Sequence, residues 1–211
     1  FSPAQRRKAL IWLAFWHIVV IAASNYLVQF PFTVLGVNTT WGAFTFPFIF
    51  LTTDLTVRVF GASLARRIIF FVMLPALPVS CGVSVLFAEW AWTGWAALGG
   101  GFNGFVARIA FASFAAYVAG QLLDITVFAR LRRHARWWVA PTAAAIAGNA
   151  LDTVVFFTLA FHRSSDAFMA ANWPEIALVD YGVKIVVSAL FFLPLYGVLL
   201  KYLVRRLTTL D

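Results

Sequence analysis

Six long apolar runs leave this chain very few ways to fold. They cover Ala9–Phe30, Phe44–Phe60, Ile68–Ala88, Phe105–Phe128, Trp138–Phe161 and Ile176–Leu203. A helix that crosses a bilayer needs about 20 mostly apolar residues. Lipid satisfies no backbone hydrogen bond, so a spanning segment must pair its amides internally. Charged residues make up 11% of the 211, against roughly 25% in a soluble domain. No soluble core of this size hides so much apolar surface. The reading is a single all-α, polytopic membrane domain over residues 1–211, with six transmembrane helices. The second run is the shortest and most polar, so a broken or re-entrant element is the alternative there. Pro47, Pro75, Pro78 and Pro194 fall in or near the runs, where a kink is tolerated if neighbours satisfy the freed carbonyl.

The basic residues support the same count. Arg6, Arg7 and Lys8 precede the first run; Arg66 and Arg67 follow the second; Arg130, Arg132, Arg133 and Arg136 follow the fourth; Lys201, Arg205 and Arg206 close the sixth. With six spans these twelve share one side, and only Arg163 lies in a loop on the other. The positive-inside rule puts both termini in the cytoplasm. The +8 net charge therefore reads as an orientation signal facing lipid, not as a nucleic-acid surface. The N-terminus does not read as a cleavable signal, because its apolar run is too long and more spans follow. Cys81 reads as a small buried hydrophobe, and Asn38-Thr39-Thr40 as a chance sequon. No linker, low-complexity tract or exact repeat divides the chain. Gly99, Gly100 and Gly101 sit in a loop rather than on a dimer seam, which leaves a homodimer open.

Seven charges lie at bilayer depth: Asp54, Arg58, Arg108, Asp124, Asp152, Asp180 and Lys184. Each costs about 2.5–3.5 kcal/mol to insert and marks a functional site by default. Asp54 with Arg58, and Asp180 with Lys184, are four apart and can pair on one helix face; Ser188 extends the second stripe. Arg108 either snorkels outward or neutralises Asp180. Asp152 has no basic residue one turn away, so its partner is on another helix or is a ligand. Ser113, Tyr117, Gly120, Gln121 and Asp124 share a face, as do Asn149 and Asp152. Ser24, Asn25 and His17 add polarity from the first run. A carboxylate beside a carboxamide, with aromatic walls, suits a flat purine-like heterocycle; it also suits an ammonium group or a proton relay. The plainer reading makes the ion pairs scaffold, the amides helix bridges and His17 a packing residue.

The same residues carry a family resemblance. The run Trp41 to Asp54 (WGAFTFPFIFLTTD), Arg58–Gly61, Ala65–Arg67, Arg108-Ile-Ala, Gly120–Asp124 with Val127-Phe128, Gly148–Thr153 and Tyr181–Lys184 with Pro194 resemble the vitamin-uptake-transporter-like family of queuosine precursor transporters, over nearly the whole chain. The resemblance implies an inner-membrane, six-helix importer of 7-cyano-7-deazaguanine and 7-aminomethyl-7-deazaguanine, without cofactor or metal and without direct nucleic-acid contact. It implies that Asp152 accepts from the ring N–H and exocyclic amine, and that Asn149 or Gln121 meets the carbonyl. Trp41 or Phe46 would stack on the ring, Asn25 and Tyr117 would line the pocket, Asp124 is with Asp152 the better binding candidate, and Asp124 and Asp54 are also expected to gate or couple. Relatives carry Glu where this chain has Arg58, so Asp54 is expected to be salt-bridged here. The fold also resembles substrate-binding components of energy-coupling-factor transporters, which work with a separate ATPase module. The chain itself has no G-x-x-x-x-G-K-[ST] loop, and no G-x-S-x-G, H-E-x-x-H or Cys–His pairing of an enzyme.

Overall fold

A computed structural model describes residues 3–27, 31–34, 37–88, 91–92, 94–95 and 104–208. Helices α1 (Pro3–Leu27), α2 (Gly42–Phe60), α3 (Ala62–Leu86), α4 (Gly104–Leu131) and α5 (Val139–Phe161) each take up one apolar run. The sixth run lies in a continuous rod made of α6 (Ala167–Val187), a π-helical turn (Ser188–Phe192) and α7 (Leu193–Thr208). The segments Ala107–Leu131, Val139–Phe161 and Ala167–Tyr202 are long and apolar enough to cross a membrane, and α1 holds a shorter apolar stretch, Ala14–Ser24. The chain is a helical membrane protein. The purely helical expectation needs one correction. Strands β1 (Pro31–Val34) and β2 (Val37–Thr40) pair antiparallel, as do β3 (Phe87–Ala88) and β4 (Ala91–Trp92). The first pair is rich in Val and Thr, which favour a pleated surface.

The second run forms one continuous helix, not a broken one. Its polarity has a packing cause: α2 touches α1, α3, α4, α5, α6 and α7. It is walled by protein, so it need not match lipid. Gly61 joins it to α3 with φ +89° and donates its N–H to Val57 O at 3.0 Å. A one-residue reversal with positive φ needs glycine. Asp166 caps α6, its carboxylate accepting from the Met169 N–H at 3.0 Å. The π-turn immediately precedes Pro194, which has no N–H to give and would crowd the carbonyl four residues back; a wider turn relieves both problems.

Helices α4 and α5 pack most closely. A Cβ on Gly120 would sit 2.9 Å from Asp152 Cβ and 3.0 Å from Gly148 O. A Cβ on Gly148 would sit 2.7 Å from a Phe50 ring carbon, 3.0 Å from Asp124 Cβ and 3.2 Å from Gly120 O. Without a hydrophobic drive between helices in lipid, such small-residue contacts carry the association. Gly182, by contrast, faces open space. Gly148→Leu is therefore expected to lower folded yield and detergent melting temperature, at an overpacking cost of about 1–3 kcal/mol, while Gly182→Leu changes neither. Equal melting of the two variants would contradict this packing.

Candidate functional site

The buried polar residues divide into two groups on either side of the α4–α5 crossing. Lys184 of α6 centres the first and is 3% exposed. Its ammonium donates to Asp180 Oδ2 at 2.7 Å, one turn back on the same helix, and to Asp152 Oδ2 on α5 at 3.1 Å. A third donor meets the Thr153 hydroxyl at 3.1 Å. The ammonium also stands 4.8 Å from the centre of the Phe46 ring of α2, within cation–π range. The three donors of a lysine are thus matched by three oxygens. Phe46, Asp152, Asp180 and Lys184 line a narrow cleft with room for about one water molecule, whose other walls are Phe156, Phe157, Ser113 and Ala116. With both carboxylates ionised, one cation is shared between two anions, and the cleft keeps a net negative charge against an aromatic wall.

The second group joins α1, α2 and α4. Asp54 and Asp124 are both 0% exposed, and the two carboxyl groups are near enough for the charge of one to act on the other. Among the described residues none of their four oxygens has an N–H, hydroxyl or cationic partner. Beside them the Thr53 hydroxyl donates to Gln121 Oε1 and lies 3.3 Å from His17 Nε2. That hydroxyl has one proton, so the imidazole N–H is the donor in the second contact. Gln121 Nε2, Asn149 Oδ1 and the hydroxyls of Ser24, Tyr117 and Ser188 are also buried without a partner. Most buried polar atoms are paired, so this many in one bundle mark a polar interior built to receive something. Among the described residues no group of three His, Cys, Asp or Glu could hold a metal ion.

A degenerate repeat explains why there are two groups. Ala119-Gly120-Gln121-Leu122-Leu123-Asp124 is matched by Ala147-Gly148-Asn149-Ala150-Leu151-Asp152, and Val127-Phe128 by Val155-Phe156. In the structure the two glycines pack reciprocally, each also touching the other repeat's aspartate. That reciprocity is a local two-fold axis across an antiparallel helix pair. Asp124 and Asp152 are symmetry mates on opposite sides of it. Phe46, Phe50 and Asp54 are four residues apart on one face of α2 and run past the axis. Phe46 reaches the lysine, Phe50 packs on Gly148 at the crossing, and Asp54 reaches Asp124.

Several expected site residues stand elsewhere. Arg58 does not bridge to Asp54. Its guanidinium donates to the Tyr196 hydroxyl at 2.9 Å and to Arg132 O at 2.9 Å, and covers the Phe128 ring at 5.4 Å. Arg132 answers with a bond to Val57 O at 3.2 Å. The chain ends of α2 and α4 thus offer carbonyls and rings that hold the cation away from Asp54. Arg108 does not meet Asp180. It donates to Leu159 O at 2.7 Å and to the carbonyls of His162 and Arg163, capping the last turn of α5 where Arg163 has φ 53°. Trp41 is 46% exposed against Phe44; five positions from Phe46, it faces another direction. Gln121 lies with the carboxyl pair. Asn149 donates to Ala145 O at 2.8 Å within its own helix. The Asn25 side chain, the Cys81 side chain and Gly99–Gly101 lie outside what the structure describes. Sequence reading passed over Thr53, Thr153 and Phe50. Their signals were adjacency to a carboxylate in the first two cases and the four-residue spacing of Phe46, Phe50 and Asp54 in the third.

A helical membrane bundle with a charged, half-aromatic cleft at the crossing of two repeated helices is the architecture of a small-molecule transporter. The chain belongs to the family of putative vitamin uptake transporters, whose pattern matches residues 40–199. It is 62% identical to the queuosine precursor transporter of Escherichia coli over 98% of this chain and 93% of that protein. It is 53% identical to the probable queuosine precursor transporter of Haemophilus influenzae over 100% of this chain and 94% of that one. Both relatives are named as transporters. No solved structure matches.

The shared lysine permits a stability test. Lys184→Met leaves Asp152 and Asp180 facing each other without their cation, and breaking such a pair costs about 3–5 kcal/mol. The variant is expected to melt well below the wild type. Adding Asp180→Asn removes one orphaned charge and should recover part of the loss. A double variant no more stable than Lys184→Met would show that the three groups are not coupled.

Proposed function

We propose that this protein imports queuosine precursors, the planar 7-deazaguanine bases 7-cyano-7-deazaguanine and 7-aminomethyl-7-deazaguanine, across the inner membrane. The observation that carries the reading is the Lys184 cleft. It combines two carboxylates, one ammonium and a wall formed by Phe46, Phe156 and Phe157. A guanine-like edge offers a ring N–H and an exocyclic amine side by side, and Asp152 can accept both. Its carbonyl oxygen can replace the Thr153 hydroxyl on Lys184, which stands where Asn149 or Gln121 was expected. The aminomethyl arm adds a positive charge, which the surplus carboxylate favours. The names of the two relatives support the same substrate class.

The proposed topology is six spans with both termini in the cytoplasm, from the placement of the basic loops. On that orientation the Lys184 cleft lies in the outer half of the bundle and the Asp54–Asp124 pair in the inner half. Transport then proceeds by alternating access about the Gly120–Gly148 crossing. Asp152→Asn is expected to cut uptake of labelled precursor by cells about tenfold, as loss of a hydrogen-bonded buried partner of about 1.4 kcal/mol or more requires, with membrane expression unchanged. Normal uptake by that variant would remove Asp152 from the site. The purified protein alone in liposomes is expected to take up precursor; dependence on an added ATPase module would make it a binding subunit instead.

A further inference from the structure

The outer cleft accounts for Asp152, Asp180 and Lys184 but leaves the other carboxyl pair without a task. Asp54 and Asp124 are fully buried and close enough for their charges to interact, and among the described residues none of their four oxygens has a hydrogen-bond partner. Two carboxylates both accept and neither donates, so a hydrogen bond between them requires a proton on one. No cation takes its place: the Arg58 guanidinium, one turn along α2, is turned to Tyr196 and the Arg132 carbonyl. The other ionisable groups that face the pair are His17 of α1, joined through Thr53 and Gln121, and Tyr196 of α7. From α5 the nearest is Asp152, which lies across the glycine crossing and is occupied with Lys184. Among the described residues α3 brings no buried ionisable group. Gln121 is one turn before Asp124 on the same face, buried, with its amide nitrogen unpartnered, so the pocket can also donate to a carboxylate once the proton has left.

We propose that the Asp54–Asp124 pair is a proton-binding site that couples precursor import to inward proton movement. This rests on the import reading above. The two sites are related by the local two-fold axis, and Phe50, wedged on Gly148, separates them. The bound proton bridges the two carboxyls and leaves the bundle interior neutral enough to rearrange. Its release on the cytoplasmic side leaves two neighbouring carboxylates charged, which drives them apart. No bond other than O–H forms or breaks, and no co-reactant is needed.

The test uses full-length protein in liposomes, with labelled 7-cyano-7-deazaguanine as substrate and a trapped pH dye. Outside-acid medium of about one pH unit is expected to accumulate substrate inside by about tenfold, the limit for one proton per molecule, and the dye should report acidification when substrate is added. Asp124→Asn should lose this response while still exchanging labelled for unlabelled substrate, at a rate that no longer varies with pH. Asp54→Asn should behave alike, and serves if the first variant does not fold. An amide in either position donates to the remaining carboxylate without needing a proton. Wild-type exchange that is indifferent to a pH gradient, or driven by a sodium gradient instead, overturns the proposal and leaves the import reading standing. Gradient-driven accumulation by both variants overturns it as well. A wild type that neither binds nor exchanges the precursor removes the import reading, and the proposal with it.

Discussion

The close contact between Gly120 and Gly148 is the constraint on which the rest of the bundle depends. Helices in lipid gain nothing from burying apolar side chains against each other, since lipid is equally apolar. They adhere by approaching closely, and only residues without a Cβ permit contacts below 3.4 Å at this point. The crossing fixes more than two helices. It holds Asp124 and Asp152 on opposite sides of one axis, and it sets the Phe50 ring of α2 against the backbone of α5. A side chain at either glycine would displace a carboxylate directly, so packing and site geometry are one problem here.

Buried charge normally works against folding, because desolvating an ion costs several kcal/mol even when a partner is present. The bundle manages it by dense local satisfaction. Lys184 has three oxygens and an aromatic face. Arg58 has a phenol, a carbonyl and a ring. Arg108 has the last carbonyls of α5. Each cation has been drawn to a helix end or to a pair of acids. The acids are less fully served, and the imbalance falls on the inner pair. Among the described residues these cations are satisfied while four carboxyl oxygens have no answering donor, which is the imbalance the proposed proton site rests on.

Much of this was legible in the sequence. Six apolar runs gave the helical rods, because length and hydropathy are properties of a segment alone. The i,i+4 pair Asp180–Lys184 was legible for the same reason, and Asp152 was expected to find its partner on another helix or in a ligand; Lys184 of α6 meets it. What failed was whatever depends on a neighbour in space. Arg58 is one turn from Asp54, so sequence paired them, but Tyr196, 138 positions away, competes successfully. Arg108 finds carbonyls that exist only where α5 ends. The hairpins between helices, ten residues or fewer, are too short for hydropathy to register. The polarity of α2 looked like weakness in a span. It is the consequence of a helix enclosed by all the others, and enclosure cannot be read from a segment by itself.

The repeat on α4 and α5 gives the two halves of the bundle the same starting parts: a glycine, an amide and an aspartate in the same order. The difference between them comes from what lies opposite. Helix α6 brings Lys184 to Asp152, so that aspartate has a fixed positive charge beside it and an aromatic cleft in front. Helix α2 brings Asp54 to Asp124, so that aspartate meets its own kind. Paired inverted elements in transporters place substrate and coupling ion near their common axis. Here the axis lies at two glycines with a phenylalanine between the two sites, and the sites differ in the sign of the charge brought to them. One aspartate is charged by arrangement and can hold a polar base; the other is left to find a movable positive charge. On the proposed reading, that asymmetry, imposed on a nearly symmetric pair of helices, is what lets one site sense the occupancy of the other.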